Sequence, residues 1–176
     1  LFDTPVPYGR LWRESERYAA GLRRFGVERG DKVCLIYPTC SEFFYTFFGA
    51  LRLGAVPVPL YPTLGVEATT NIFRDSEAKA VVTIGWFRTS VDESAAGAAN
   101  IRHGLEPADL EADAPVPLFP ATREDDVAFI QYTSGSTGQP RGVVLSHANV
   151  CRTVEFMAEA AQLTREDTVV SWLPLY

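Results

Sequence analysis

Cysteine and lysine are scarce in this chain of 176 residues, and their scarcity argues against several classes of protein. The three cysteines, Cys34, Cys40 and Cys151, are odd in number and show no C-x-x-C spacing. They therefore argue against a disulfide framework and a zinc site, and they predict buried free thiols in a reducing compartment. Lysine is almost absent beside arginine, the net charge is −6, and no basic patch emerges. For these reasons we expect no nucleic-acid partner.

Long apolar runs are also missing. The longest one, residues 43–53, is interrupted by Thr46 and Arg52 and is far shorter than a bilayer span, so it predicts a buried helix and no membrane segment. No targeting signal is recognisable, and together with the free thiols this predicts a cytoplasmic protein. The composition, 47% apolar and 22% charged, is typical of one domain with a sizeable core.

Helical and extended patterns alternate along the first half of the chain. Apolar spacing predicts helices over residues 8–25, 41–53 and 66–75, with Gly26 and Gly54 ending the first two and Ser41 capping the second. Short apolar runs predict strands over residues 32–37, 55–60 and 79–84. This order predicts βαβ units, hence an α/β fold whose mainly parallel sheet is covered by helices on both faces.

The second half is less regular. Between residues 86 and 126 several prolines break the periodicity, so we expect a partly looped, solvated stretch in which His103 is exposed. Beyond it, strands are predicted over residues 126–130, 142–145 and 167–173, the first of them buried. Ser146 is predicted to cap a helix over residues 147–162, which makes His147 a residue of the helix start rather than a catalytic base.

The most informative segment is residues 132–142, Y-T-S-G-S-T-G-Q-P-R-G. Three glycines allow close backbone approach, four hydroxyls supply donors and Arg141 supplies a cation, so the segment suits phosphate. It is not a Walker loop, since Pro140 stands where that motif needs its second glycine. The glycine spacing also excludes the dinucleotide fingerprint G-x-G-x-x-G. The alternative from composition alone is a flexible surface loop.

As an ordered string, this segment resembles the phosphate-loop motif of the adenylate-forming superfamily, which includes acyl-CoA synthetases, fatty acyl-AMP ligases, peptide-synthetase adenylation domains and luciferases. Arg141 stands where the common family form has Lys, which keeps the charge and changes the geometry. Residues 51–62, L-R-L-G-A-V-P-V-P-L-Y-P, and residues 171–176, S-W-L-P-L-Y, resemble two further family signatures in the right order. Because the chain stops inside the last signature, residues 1–176 are expected to be an incomplete N-terminal AMP-binding domain without the C-terminal domain, inactive alone.

The resemblance implies ATP-dependent activation of a carboxylic acid, giving an acyl-adenylate and pyrophosphate, normally with Mg²⁺. It assigns Arg141 as the catalytic residue and leaves the metal ligands unknown. Backbone N–H groups and side chains of the loop would hold the β and γ phosphates while charge develops on pyrophosphate. The nucleotide-binding residues that it implies are Thr133, Ser134, Gly135, Ser136, Thr137 and Gly138.

The identity of the acid is a finer inference from the same resemblance. Amino-acid-activating domains usually carry Asp where this chain has Tyr61, whereas the W-L-P-L-Y segment is similar to fatty acyl-AMP ligases. A fatty acid is therefore the expected substrate, with an acyl carrier protein or CoA as the acceptor. Two alternatives stay open: an amino-acid or aryl-acid adenylation domain, and a non-catalytic nucleotide-binding or structural module.

Overall fold

Six α-helices and six strands, with one short 3₁₀ turn, are present in the computed structural model, which describes residues 5–111, 120–133, 140–171 and 173. The helices are α1 Tyr8–Arg24, α2 Ser41–Leu53, α3 Val66–Ser76, α4 Arg88–Ala96, α5 Pro107–Leu110 and α6 His147–Ala160. The strands are β1 Lys32–Ile36, β2 Val56–Leu60, β3 Ala80–Thr83, β4 His103–Leu105, β5 Val127–Thr133 and β6 Arg141–Ser146. None of these helices is long and apolar enough to cross a membrane.

The first four strands form a parallel sheet in the order β2-β1-β3-β4. In the centre of that sheet, Cys34 of β1 is paired with Val58 on one side and Val81 on the other. Each crossover between these strands carries a helix, as parallel pairing requires. The α/β fold predicted from the alternating pattern is therefore confirmed.

Helices cover both faces of the sheet, because successive side chains of a strand point to opposite faces. Val33 and Leu35 of β1 share one buried cluster with residues of α1 and α2. Cys34 and Ile36 of the same strand belong to a second cluster that includes residues of α3 and α4. Burial on both faces explains why the strands are continuous apolar runs in the sequence.

Two prolines in β2 separate the parallel sheet from the last two strands. The amide of Val56 donates to the carbonyl of Asp31 on the β1 side. Backbone N–H groups alternate along a strand, so those of the odd-numbered residues of β2 would point away from β1. Those residues include Pro57 and Pro59, which have no N–H to offer to a further strand. The antiparallel hairpin β5–β6 accordingly forms a separate sheet, although β5 packs closely along β2.

Helix ends follow their sequence signals closely. Gly26 and Gly54 adopt the left-handed conformation, with φ of 76° and 75°, and end α1 and α2 as predicted. Ser146 caps α6, where its side chain accepts from the amide of Asn149. The predicted cap at Ser41 is wrong by one residue: Cys40 holds the cap position and Ser41 is the first residue of α2.

Residues 86–126 contain more structure than the sequence indicates. They include α4, α5 and the parallel strand β4, which are too short for a clear periodic pattern and gain their stability from packing. His103 lies in β4 and is partly buried rather than exposed, with its ring 5.5 Å from that of Phe25. Gly21 of α1 packs so closely on α5 that a Cβ atom there would lie 2.4 Å from the carbonyl oxygen of Leu110.

Three further expectations are corrected. Residues 167–171 form no strand, and Val169 and Val170 are 74% and 82% exposed, because an apolar run becomes a strand only beside a partner. Strand β5 alternates between buried and half-exposed positions instead of being buried throughout. The thiols are free, but burial holds only for Cys34, since Cys40 is half-buried and Cys151 is exposed.

Candidate functional site

The loop predicted to bind phosphate connects the two strands of the hairpin. Thr133, the last residue of β5, is paired with Arg141, the first residue of β6. The structure thus brings together the two ends of the loop. The predicted nucleotide-binding residues Ser134, Gly135, Ser136, Thr137 and Gly138 lie outside the described residues.

Arg141 is exposed at the root of this loop. Within the described ranges no carboxylate lies at ion-pair distance from its guanidinium, in contrast to Arg29, Arg52 and Arg88. A cation without an internal counter-ion keeps its full charge for a ligand, because its field is not neutralised locally. Arg141 is therefore chemically suited to an anion such as phosphate.

Gly142 follows Arg141 and packs closely against two side chains of β5. It is paired with Tyr132, and a Cβ atom at this position would lie 3.1 Å from Cζ of the Tyr132 ring and 3.0 Å from Cγ2 of Ile130. The ring therefore lies against the backbone of β6, and a Cβ atom here would require the ring or Ile130 to shift by a few tenths of an ångström. Because glycine has no Cβ atom, it leaves room for the Tyr132 ring against the backbone of β6.

A hydrogen bond links this ring to helix α3. The hydroxyl of Tyr132 donates to Oδ2 of Asp75 over 2.5 Å, across 57 positions of sequence. Tyr132 is 8% exposed, and burial followed by the hydrogen bond to Asp75 raises the pKa of its phenol. The phenol is therefore neutral and a donor at physiological pH, and the bond is charge-assisted.

A cleft of about 540 Å³ lies beside the hairpin at the carboxyl end of β2. Its walls combine apolar side chains with a few polar groups, as small-molecule sites commonly do. Open α/β sheets bind their ligands outside the carboxyl ends of the strands, which is where this cleft lies. The lining residues are Pro59, Leu60, Tyr61, Leu64, Ile72, Gln131, Tyr132, Thr133 and Pro140.

A second cleft, of about 360 Å³, lies at the opposite end of the strands and contains Arg29 and His147. Arg29 is already engaged there, since its guanidinium donates to Oδ2 of Asp126 over 2.5 Å. The amide of His147 donates to the carbonyl of Asp126, so His147 lies at the start of α6 as predicted. This cleft is remote from the loop, and its Arg29 already has a carboxylate partner.

Sequence reasoning missed Asp75 and Gln131 as neighbours of the loop. Gln131 could have been placed by its position in β5, two residues before Thr133. Asp75 gave a weaker signal, an acidic residue in the last turn of a helix, where the helix dipole disfavours negative charge. The described residues contain no group of three or more His, Cys, Asp or Glu side chains able to hold a metal ion.

A parallel α/β sheet flanked by a hairpin whose loop carries glycines, hydroxyls and a cation defines a domain of the adenylate-forming class. Residues 3–176 match the family described as AMP-binding enzyme, and the chain belongs to that family. This confirms the family membership expected from the three sequence signatures.

Curated relatives are similar over nearly the whole chain. The 4-coumarate–CoA ligase 3 of Oryza sativa subsp. japonica is 31% identical, over 96% of this chain and 33% of its own length. A long-chain-fatty-acid–CoA ligase of Mycobacterium tuberculosis is 31% identical, over 99% of this chain and 36% of its own length. The chain thus spans about a third of the length of these relatives.

Solved structures agree with this assignment. A structure from a study of fatty acyl-adenylate ligases of E. coli and L. pneumophila matches with a TM-score of 0.88 and 29% identity, over all of this chain and 33% of its own. An o-succinylbenzoate CoA synthetase from Bacillus subtilis gives a TM-score of 0.90 at 24% identity, over 99% of this chain and 45% of its own, which shows the fold alone.

Proposed function

We propose that this chain forms the first part of the N-terminal adenylation domain of a longer enzyme that activates a carboxylic acid with ATP. Membership of the AMP-binding family carries this proposal, and the position of Arg141 and Thr133 at the root of the loop supports it. A carboxylate oxygen of the acid attacks the α-phosphorus of ATP. The bond from that phosphorus to the oxygen bridging to the β-phosphate breaks, and acyl-adenylate and pyrophosphate form.

The contribution of this chain to that reaction is electrostatic. Arg141 and the hydroxyl of Thr133 would hold the β and γ phosphates, so that the charge arriving on pyrophosphate meets a cation and donors already in place. When bound, Mg²⁺ would neutralise phosphate oxygens and act as a Lewis acid. The chemistry requires no covalent enzyme intermediate.

The substrate that we propose first is a fatty acid. The sequence supports it through Tyr61, which replaces the Asp typical of amino-acid activators and lines the 540 Å³ cleft. The similarity to the long-chain-fatty-acid–CoA ligase supports it as well. In a second step the acceptor thiol attacks the acyl carbon, which forms a thioester and releases AMP. We propose CoA or an acyl carrier protein as that acceptor and a cytoplasmic location for the enzyme.

A second candidate is an aryl acid such as a hydroxycinnamate. A feruloyl-CoA synthase of Amycolatopsis sp. is 34% identical to this chain, over 98% of this chain and 35% of its own length. This enzyme and the 4-coumarate–CoA ligase 3 are as similar to the chain as the fatty-acid ligase is, and this observation favours the second candidate. Both candidates share the adenylation step, and they differ only in the group that the acid pocket accepts.

Trapping of adenylates with hydroxylamine tests the proposal in the full-length protein. Fatty acids from acetate to palmitate, hydroxycinnamates and amino acids are compared at equal concentration with ATP and Mg²⁺. Each buried CH₂ contributes about 0.8 kcal/mol, or roughly fourfold in kcat/KM, so long fatty acids should exceed acetate by orders of magnitude. Preference for a hydroxycinnamate would favour the second candidate, and absence of any adenylate would refute the activity itself. Addition of CoA or a carrier protein then identifies the acceptor.

A further inference from the structure

In addition to the packing of β5 along β2, two polar side-chain contacts near the ends of β5 join the hairpin to the rest of the domain. Its ladder does not continue into β2, because Pro57 and Pro59 remove the donors on that side. Near the start of β5, Arg29 donates to Asp126. At the end of β5, the hydroxyl of Tyr132 donates to Asp75. The second of these contacts lies one residue from Thr133, where the loop begins.

Helix stability does not explain an aspartate at position 75. Asp75 is exposed in the last turn of α3, one residue before the helix ends at Ser76. The carbonyl end of a helix carries partial negative charge, so a carboxylate there is electrostatically unfavourable. The charge-assisted hydrogen bond from the Tyr132 phenol offsets this unfavourable interaction with the helix end.

Tyr132 transmits this contact to both strands of the hairpin. Its ring belongs to the cluster that includes Ile72 of α3, and on its other side it lies against the backbone of Gly142. Thr133 follows Tyr132 directly, and Arg141 precedes Gly142 directly. An anchor on the Tyr132 ring therefore restrains the two residues that pair at the root of the loop.

We propose that Asp75 is a positioning residue for the nucleotide: by accepting the hydrogen bond from Tyr132 it holds Thr133 and Arg141 where they can engage phosphate. This rests on the proposed function of the loop. Asp75 itself does not touch the nucleotide in this arrangement, and it acts through the phenol.

Steady-state kinetics of the full-length protein tests the proposal. We expect Asp75→Ala and Tyr132→Phe each to lower kcat/KM for ATP by about ten- to a hundredfold, because a misplacement of binding groups by about 1 Å costs rates of that order. The KM for the acid should stay unchanged, and Asp75→Asn, which keeps an acceptor oxygen, should recover most of the loss. The double variant should be no worse than either single variant, because both remove the same bond.

Arg29→Gln provides the matched control, since it removes the anchor at the other end of β5 and leaves the Tyr132 contact in place. It should leave kcat/KM for ATP unchanged. If Asp75→Ala and Tyr132→Phe lower only the melting temperature while kcat/KM for ATP stays at the wild-type value, the bond is structural and the proposal is wrong.

Hydrogen exchange decides the same question without any turnover. In Asp75→Ala and Tyr132→Phe we expect the amides of residues 130–133 and 141–144 to exchange about tenfold faster or more, with β1 and β3 unchanged. Arg29→Gln should instead affect the start of β5. Unchanged exchange at the loop root in both variants would overturn the anchor. A wild-type protein that forms no adenylate would refute the proposed function, and the exchange result would still stand by itself.

Discussion

Replacement of Arg141 by alanine should have a small effect on the stability of this domain and a large effect on phosphate binding. Arg141 is exposed, and in the described part of the chain its guanidinium has no carboxylate at ion-pair distance. Its removal should therefore change the free energy of unfolding by no more than about 0.5 kcal/mol. If the side chain holds phosphate, the same change removes a charge-assisted contact from the transition state, which is worth about 1.5–3 kcal/mol.

Those energies convert into a rate that is ten to a hundred times slower. Pyrophosphate exchange in the full-length protein measures it, with Arg141→Lys as the variant that keeps the charge and should lose far less. Arg165→Ala is the matched control, because Arg165 is also exposed and lies on the segment after α6. Exchange by Arg141→Ala at the wild-type rate would remove Arg141 from the mechanism, and a large drop in melting temperature would show that the residue is structural.

The remaining predictions concern the chain by itself and its packing. The 176-residue chain spans about a third of the length of its curated relatives, so by itself it should produce no acyl-adenylate in the hydroxamate assay; robust product would contradict this. Gly21→Ala should destabilise the fold by about 1–3 kcal/mol, since its Cβ would meet the backbone of Leu110, whereas Gly85→Ala meets nothing within 4 Å and should be nearly neutral in thermal unfolding. Burial raises the pKa of Cys34 to about 12, so in the folded chain at pH 8 its protonated thiol should resist alkylation while the exposed Cys151 reacts, and equal labelling by mass spectrometry would refute the burial.

The regular part of the fold could be predicted because its signals are local. The helix pattern ended by a glycine places α1 and α2 to within a residue, and the apolar runs place β1, β2 and β3 equally well. Those runs are apolar because both faces of the sheet are covered, so burial on both faces can be inferred from the sequence. The elements that failed are short or depend on distant partners: β4 has three residues, and residues 167–171 have no strand beside them among the described residues.

The candidate site divides in the same way. The sequence by itself determined the family, through the order of residues 132–142 and two further signatures, and it singled out Arg141 as the candidate phosphate ligand, because such a loop is a contiguous segment with fixed spacing. Tertiary structure alone decided that Thr133 faces Arg141 and that Tyr132 is anchored to Asp75, 57 positions away. A hydrogen bond between residues so far apart depends on the packing of α3 against the hairpin, and no local preference of either segment encodes that distance.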